Sequence, residues 1–174
     1  MTSGLSFSVR YSACCPSPAS PIISTIPWTL WEDYCELPAD VLYAMAFLKN
    51  APIDVDYHPE TLNSQAHWIY EPDESVSYHR LLLRSNFSDG AIGYWSEANS
   101  ERSPETDGIR FHNEFAYPIN TLGKPEAVEK ILNWARSNSI VGLGRWGRWE
   151  HMNSDVAVAE ALHMGRQLNS ENTV

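Results

Sequence analysis

The fold is decided by the stretch Ser75-Val-Ser-Tyr-His-Arg-Leu-Leu-Leu83, a β-rich run that stands among turn-forming residues. Similar short runs fill the region from residue 52 to residue 117, separated by Pro, Gly, Asp, Asn and Ser. They cover residues 53–57, 67–70, 91–96 and 109–115. Because no helical pattern lies between consecutive runs, we predict an antiparallel sheet here.

Helical patterns flank this β-rich region on both sides. Residues 37–48 begin with Pro38 and Asp40, which suit the first turn of a helix. Residues 124–137 carry apolar side chains at helical spacing. A last helix is predicted over residues 155–168, and short strands are predicted over residues 21–27 and 140–143. The predicted fold is α+β, an antiparallel sheet flanked by about three helices.

The chain has 174 residues, which is about the length of one domain. Residues 1–20 are rich in Ser, Pro and small residues without periodicity, which is typical of a disordered leader. We therefore predict a leader at residues 1–20, one α+β domain over residues 21–170, and a polar tail at residues 171–174.

Acidic side chains outnumber basic ones, 22 Asp and Glu against 12 Lys and Arg, which gives a formal net charge of −10. Such a charge repels nucleic acid and anionic membrane surfaces, so neither is an expected partner. No stretch approaches the ~20 apolar residues that span a bilayer. Cys14, Cys15 and Cys35 are predicted to be free thiols in a reducing compartment, and the expected location is cytoplasmic.

Two arginines, Arg145 and Arg148, stand among glycines towards the end of the chain. Glycine allows close backbone approach, and guanidinium groups offer forked donors to a carboxylate, phosphate or carbonyl. Arg145 is therefore a candidate catalytic residue and Arg148 a candidate binding residue. The alternative is that Arg145 pairs with a neighbouring acid while Trp146 and Trp149 belong to the core.

The predicted start of the last helix carries Asn153 and Asp155. Both are candidates for substrate binding, because helix N-termini present unpaired N–H groups to electron-rich ligands. The alternative is simple helix capping, which these residue types also favour.

The strand around Tyr78-His-Arg80 is polar. Alternation along a strand places His79 opposite to Tyr78 and Arg80, and one of these two sets must face the core or the concave side of the sheet. We predict a pocket wall in which Tyr78 and His79 are catalytic candidates and Arg80 is a binding candidate. The alternative is an exposed polar face.

A later strand, at residues 109–115, places His112 and Glu114 on one face and Phe111 and Phe115 on the other. This alternation predicts that the aromatic side belongs to the core. His112 and Glu114 would then form an acid/base pair if their face lines a cavity. The alternative is a solvated strand face.

The sequence favours neither a metal site nor a serine hydrolase. The six histidines show no metal-ligand spacing, and no Gly-x-Ser-x-Gly elbow occurs. Seven Trp and eight Tyr residues are present, and these side chains supply an apolar wall with a polar tip. A small-molecule pocket without a metal ion is therefore expected.

Three passages, in this order over residues 22–168, resemble one protein family. They are Ile23-Ser-Thr-Ile-Pro27; the stretch Trp68-Ile-Tyr-Glu-Pro72 through Tyr78-His-Arg80 to Ser85-Asn-Phe-Ser88; and Ala116-Tyr-Pro-Ile119 through Gly144-Arg-Trp-Gly-Arg-Trp149 to Asn153-Ser-Asp-Val-Ala157. They are similar to the C-terminal, substrate-side part of flavoproteins of the UDP-galactopyranose mutase and protoporphyrinogen oxidase type. The candidate substrate-binding residues within or beside these passages are Trp68, Tyr70, Arg80, Tyr117, Trp146, Arg148, Trp149, Asn153 and Asp155.

The resemblance also implies where a cofactor would lie. In the family, the glycine-arginine segment and the last helix close over the flavin, and a separate strand, Gly-x-Gly-x-x-Gly turn and helix cradle the pyrophosphate. The strand, Gly-x-Gly-x-x-Gly turn and helix that cradle the pyrophosphate are missing here. Gly142, Gly144 and Gly147 have the same glycine spacing, but they match the motif only weakly because aromatic and charged residues follow them instead of a packed helix. We therefore expect no cofactor, with FAD as the alternative.

The predicted function is that of an enzyme, a cofactor-independent isomerase or cyclase, for example one catalysing an intramolecular cycloaddition of the 4+2 type. Its expected substrate is an apolar, carbonyl-bearing small molecule of secondary metabolism, held in a reactive shape and activated by hydrogen bonds. Two alternatives remain open: a flavin-binding oxidoreductase or mutase subunit that needs a second chain, and a non-catalytic remnant. If the chain is the cofactor-independent enzyme or the flavin-binding subunit, a homodimer would cover the face that the missing segment leaves open.

Overall fold

The computed structural model describes residues 21–171, and the predicted leader at residues 1–20 lies outside the described residues. The chain divides into two compact units, Met1–Lys49 with Pro118–Val174, and Asn50–Tyr117. We call the first the split unit, because its two parts are distant in sequence, and the second the inserted unit. The single domain expected over residues 21–170 stays a prediction.

The inserted unit is a five-stranded sheet with the strand order β3-β4-β5-β2-β6. Hydrogen bonding between β2 and β5, β3 and β4, and β4 and β5 is antiparallel, which confirms the predicted antiparallel sheet. The strands are β2 (Asn50–His58), β3 (Trp68–Tyr70), β4 (Tyr78–Leu83), β5 (Tyr94–Asn99) and β6 (Arg110–Pro118).

The strand register separates the side chains of this sheet into two faces, because residues that oppose each other across a ladder share a face. Arg80 opposes Glu97, which opposes Val55. Tyr78 opposes Ala98, which opposes Asp54, and these residues lie on the other side. We call the first side the aromatic face; it carries Tyr57, Trp68, Tyr70, Trp95, Phe111 and Tyr117. We call the second the acidic face; it carries Asp54, Asp56, Arg110, His112 and Glu114.

The split unit is built around a two-stranded parallel sheet of β1 (Ile22–Ser24) and β7 (Ile140–Gly142). Its helices are α1 (Ala39–Met45), α2 (Lys124–Ser137), α3 (Gly144–Gly147) and α4 (Ser154–Glu171), and a 3-10 helix spans Trp28–Asp33. The three longer helices confirm the sequence prediction, whereas α3 and the 3-10 helix were not predicted.

The core of the split unit contains two wholly buried tryptophans, Trp28 and Trp149. Ile131 of α2 and Ile140 of β7 pack into the same cluster as Val41 of α1. The indole Nε1 of Trp28 donates to the backbone oxygen of Gly147 at 2.9 Å, so the hydrogen-bonding group of this tryptophan is satisfied inside the core. Within residues 21–171, no helix combines the length and the apolarity needed to traverse a membrane.

Candidate active site

The carboxylate of Glu97 lies at the centre of a polar cluster on the aromatic face. Glu97 is only 4% exposed. Its Oε1 lies 2.9 Å from Nε2 of His79 and accepts from the hydroxyl of Tyr117 at 3.4 Å. Its Oε2 accepts from the guanidinium of Arg80. A buried carboxylate requires partners of this kind, and this one receives three.

A β-bulge brings His79 and Arg80 to the same carboxylate. The register between β4 and β5 shifts between Tyr78 and Arg80, so that one extra residue of β4 stands opposite Glu97. The prediction that His79 faces away from Arg80 is therefore wrong. Simple alternation does not hold across the bulge, and Tyr78 alone of the three lies on the acidic face.

Arg80 is held as a cation by its surroundings. Burial alone would lower the pKa of its guanidinium, but the hydrogen bond and charge of Glu97, together with a hydrogen bond to Tyr70, raise that pKa above its ordinary value. Nη2 of Arg80 also lies 3.5 Å from the Tyr117 hydroxyl. Arg80, Tyr70 and Tyr117, three predicted binding residues, thus meet on one face with the predicted catalytic residue His79.

The His79 ring has one nitrogen bound and one available. Nε2 faces Glu97, and Nδ1 has no hydrogen-bond partner among residues 21–169. The side chain of His79 is 47% exposed. A carboxylate at Nε2 favours the tautomer that carries its proton there, which leaves Nδ1 as a proton acceptor open to a ligand.

Aromatic side chains surround this cluster. The rings of Tyr57 and Trp95 lie 5.1 Å apart, and those of Trp95 and Phe111 lie 5.5 Å apart. Trp68, at the edge of the sheet, stacks against Phe87 at 6.3 Å. Because Trp68 and Phe111 are 52% and 59% exposed, this face offers apolar contact area to a ligand.

The prediction that the aromatic side of β6 belongs to the core is wrong. Phe111 is among the exposed apolar residues, whereas Ala116, on the other side of the strand, is buried. The reason is that Leu81, Leu83 and Ala98, which are buried, all lie on the acidic face. These buried apolar side chains of the inserted unit thus lie on the acidic face, the face that carries polar residues on β6.

The acidic face holds a second histidine between carboxylates. Nδ1 of His112 lies 2.7 Å from Asp54, and Nε2 lies 3.3 Å from Glu114. The predicted contact of His112 with Glu114 is present, but the nearer partner, Asp54, was missed. Both ring nitrogens are occupied, so His112 is less available as a base than His79.

These contacts shift the pKa values of both partners. The hydrogen bonds to Asp54 and Glu114 raise the pKa of His112. Burial alone would raise the pKa of Asp54, but hydrogen bonds from His112 and Ser100 and the charge of Arg110 lower it below its ordinary value. Arg110 also holds Asp56 through two hydrogen bonds of 2.6 and 2.7 Å. The charged side chains of this face are thus paired with one another.

The candidates of the split unit have structural contacts. Arg145 donates to the backbone oxygen of Met152 from Nε at 3.2 Å and from Nη2 at 2.8 Å, which fixes the loop before α4. Nη1 of Arg148 lies 3.6 Å from Glu160. Trp149 is wholly buried and belongs to the core, so its predicted role in substrate binding is wrong.

The remaining split-unit candidates lie beside this loop. Trp146 packs edge-on against the ring of Trp149 at 5.0 Å. The backbone oxygen of Asn153 accepts from the N–H of Ala157 at 3.2 Å, and Asp155 lies in the first turn of α4. Asn153 and Asp155 therefore lie where helix capping would place them.

An open groove of about 780 Å³ lies between α1 and α2 of the same unit. Tyr43, Phe47 and Trp134 contribute to its walls, and Lys130 forms an ion pair with Asp40 at 3.0 Å. None of the residues predicted from the sequence lines this groove.

The glycines of the split unit do not fit the phosphate group of a dinucleotide. Gly142, Gly144 and Gly147 have the spacing of the dinucleotide-binding turn and follow strand β7, but the helix after them, α3, has only four residues. A Cβ on Gly142 would lie 1.9 Å from the oxygen of Gly147, and one on Gly147 would lie 2.2 Å from the oxygen of Ser24. These two glycines are needed for backbone packing, so they leave no cradle for a phosphate.

Sequence reasoning missed Glu97, the residue that organises the site. The predicted strand ended at residue 96, one position before it, although β5 continues to Asn99. The available signal was a lone acid in the β-rich run Trp95-Ser-Glu-Ala-Asn99, in a sheet that already contained His79 and Arg80. Among the described residues, no group of three or more His, Cys, Asp and Glu side chains is placed to hold a metal ion.

Comparison with known proteins shows the fold. No protein-family model matches the sequence, and no curated protein matches it. A solved structure of reduced UDP-galactopyranose mutase is similar, with a TM-score of 0.61 and 17% sequence identity over 75% of this chain. The chain spans only 36% of the length of that mutase chain. At this identity the similarity shows a partial fold match to the mutase and no more.

Proposed function

We propose that this chain is the substrate-binding part of a redox-neutral isomerase or cyclase that acts on an apolar, carbonyl-bearing small molecule. The observation that carries the proposal is the arrangement of His79, Arg80 and Tyr117 around the carboxylate of Glu97 on the aromatic face. It combines a histidine with one free nitrogen, a guanidinium donor and an exposed aromatic wall, which are the parts that such chemistry needs.

For an isomerisation, Nδ1 of His79 removes a proton from the carbon beside the substrate carbonyl, the C–H electron pair forms a C=C bond, and the carbonyl π electrons move to the oxygen. Glu97 stabilises the resulting imidazolium through Nε2, and the guanidinium of Arg80 donates to the enolate oxygen, while the Tyr117 hydroxyl donates to Glu97. The imidazolium then returns the proton at another carbon, so the product has the same formula as the substrate. A positioned base of this kind contributes about 10²–10⁴-fold in rate.

For a cyclisation, the same face works without proton transfer. The aromatic side chains hold a flexible substrate in a folded shape, and a hydrogen bond from Arg80 polarises its carbonyl. A cycloaddition of the 4+2 type, as used in secondary metabolism, requires nothing further from the protein. A homodimer would fit this proposal, since exposed apolar residues such as Val158 and Leu162 of α4 offer a surface to cover.

The second candidate function is a flavin-dependent mutase or oxidoreductase, which the similarity to the mutase fold favours. Because backbone atoms occupy the space beside Gly142 and Gly147 where a phosphate would have to lie, a second chain would have to supply the dinucleotide-binding segment. The visible absorbance of the purified protein, with a denatured sample checked for released flavin, separates the two. A stoichiometric flavin band would favour the second candidate.

The test of the base uses nitrobenzisoxazole, an apolar aromatic probe that opens to a coloured phenolate when a base removes the C–H proton of its isoxazole ring and the N–O bond breaks. We expect the protein to accelerate this reaction and the His79→Asn variant to lose about 10²-fold in rate. The matched control is His112→Asn, which removes the other carboxylate-bound histidine and should leave the rate within about twofold. Equal rates for the wild type and His79→Asn would overturn the isomerase form of the proposal, in which His79 is the base.

A further inference from the structure

Arg84 lies immediately after β4 and is stacked on the aromatic face. Its Cζ is 5.4 Å from the centre of the Tyr57 ring and 5.9 Å from that of Trp95. Nη1 of Arg84 donates to the backbone oxygen of Ile92 at 3.3 Å, and the Tyr57 hydroxyl donates to the same oxygen at 3.3 Å. The half-buried guanidinium is thus held by two rings and one carbonyl.

No carboxylate of residues 21–169 forms an ion pair with Arg84. The other two arginines of the sheet differ in this respect, because Arg80 pairs with Glu97 and Arg110 pairs with Asp56. The chain has 22 acidic residues and a net charge of −10, so acids are abundant. A positioned guanidinium without an acidic partner in such a chain keeps its forked donors for a ligand.

We propose that Arg84 is the anchor for a carboxylate on the ligand of the aromatic face. The inference rests on the proposed function for the position of the reacting carbonyl near His79. Trp95 and the exposed ring of Phe111 supply the apolar contact next to the guanidinium. A planar carboxylate matches the guanidinium fork in geometry, and stacking on Tyr57 and Trp95 fixes the plane of that fork.

The position of Arg84 also sets the length of the ligand. Arg84, the first residue of the 3-10 helix Arg84–Asn86, follows Arg80 of β4 by four positions, which corresponds to at most about 13 Å at roughly 3.3 Å per residue. The substrate class is therefore an elongated, largely apolar carboxylic acid whose carbonyl lies well away from its carboxylate.

The test compares the binding of cinnamate with that of cinnamamide, its uncharged and nearly isosteric analogue, by titration calorimetry on the whole chain. We expect the wild type to bind cinnamate about tenfold or more tightly than cinnamamide, although its net charge repels anions in general. Arg84→Gln should abolish this preference and leave cinnamamide affinity within about twofold. The control Arg136→Gln removes an exposed arginine of α2 and should keep the preference.

Absence of a carboxylate preference in the wild type, or its retention in a folded Arg84→Gln variant, would overturn the inference. Arg84→Lys retains the charge without the fork, and its preference should fall below that of the wild type; this variant carries the test if Arg84→Gln does not fold. His79→Asn should keep the carboxylate preference. The proposed reaction and the carboxylate site can therefore fail separately.

Discussion

Gly93 lies directly against the ring of Tyr57: a Cβ on Gly93 would stand 2.7 Å from Cε2 of Tyr57 and 2.3 Å from the backbone oxygen of His58. Gly93 also has a φ of +77°. This close approach allows the Tyr57 ring to reach Arg84 and to share the Ile92 carbonyl with it. Space at one glycine thus decides the shape of the aromatic face.

Gly93→Ala should therefore destabilise the protein by about 2–4 kcal/mol, the sum of a positive-φ cost and a steric clash. Gly90 is the matched control, since its φ is +76° and a Cβ there would have no neighbour within 4 Å. Gly90→Ala should cost only about 1–2 kcal/mol. Urea unfolding of both variants measures the difference, and equal costs would show that the close approach of Gly93 to His58 and Tyr57 does not matter.

Replacement of Glu97 by Gln should cost about 3–5 kcal/mol, because it leaves the half-buried charge of Arg80 without its carboxylate. The double variant Glu97→Gln with Arg80→Met removes both charges and should recover part of this loss. Denaturant unfolding of the two single variants and the double variant gives the coupling energy. Additive losses would contradict a direct Arg80–Glu97 interaction.

The contribution of His112 to stability should depend on pH. Its pKa is raised by Asp54 and Glu114, so the contribution is complete below the ordinary histidine value of about 6.5 and is lost as pH rises through the raised value. The pKa of Asp54 is lowered, so its contribution to stability is complete above about pH 3.9 and is lost only as pH falls through the lowered pKa.

The measurement is the difference in Tm between the wild type and His112→Asn. It should be larger near pH ~5 than near pH ~9. A pH-independent difference for His112→Asn would mean that the ion pairs of His112 with Asp54 and Glu114 add nothing to stability.

Two further glycines should respond to alanine with opposite signs. Gly147→Ala places a Cβ between the backbone of Ser24 and that of Gly142 and should destabilise the protein by at least about 3 kcal/mol. Gly165 lies within α4 with nothing near its Cβ position, and Gly165→Ala should stabilise it by about 0.5–1 kcal/mol. Thermal unfolding of the two variants tests both signs.

Much of the fold follows from local sequence. The five β-rich runs coincide with β2 to β6, and residues 124–137 form α2 as predicted, because turn formers, Pro125 and apolar spacing act within a few residues. The short helix α3 is different. It depends on contacts from distant residues, such as the hydrogen bond from Trp28 to Gly147, and no local sequence pattern predicts it.

The candidate site was predicted only in part, because it depends on register. Tyr70, His79, Arg80 and Tyr117 were named and do meet, but the central acid was not named. Whether His79 joins Arg80 is decided by the bulge opposite Glu97, which is a property of two paired strands. Alternation along a single strand therefore predicted, wrongly, that His79 and Arg80 lie on opposite faces.

The two-part construction of the split unit has a consequence for synthesis on the ribosome. Trp28 and Gly147, which are hydrogen-bonded in the core, stand 119 positions apart in the chain. The strands of the inserted unit, in contrast, are continuous over Asn50–Tyr117 and are available for pairing much earlier. Loop closure over long separations is slow, so the inserted unit should fold first, while β1 and Trp28 wait for the C-terminal third of the chain to emerge.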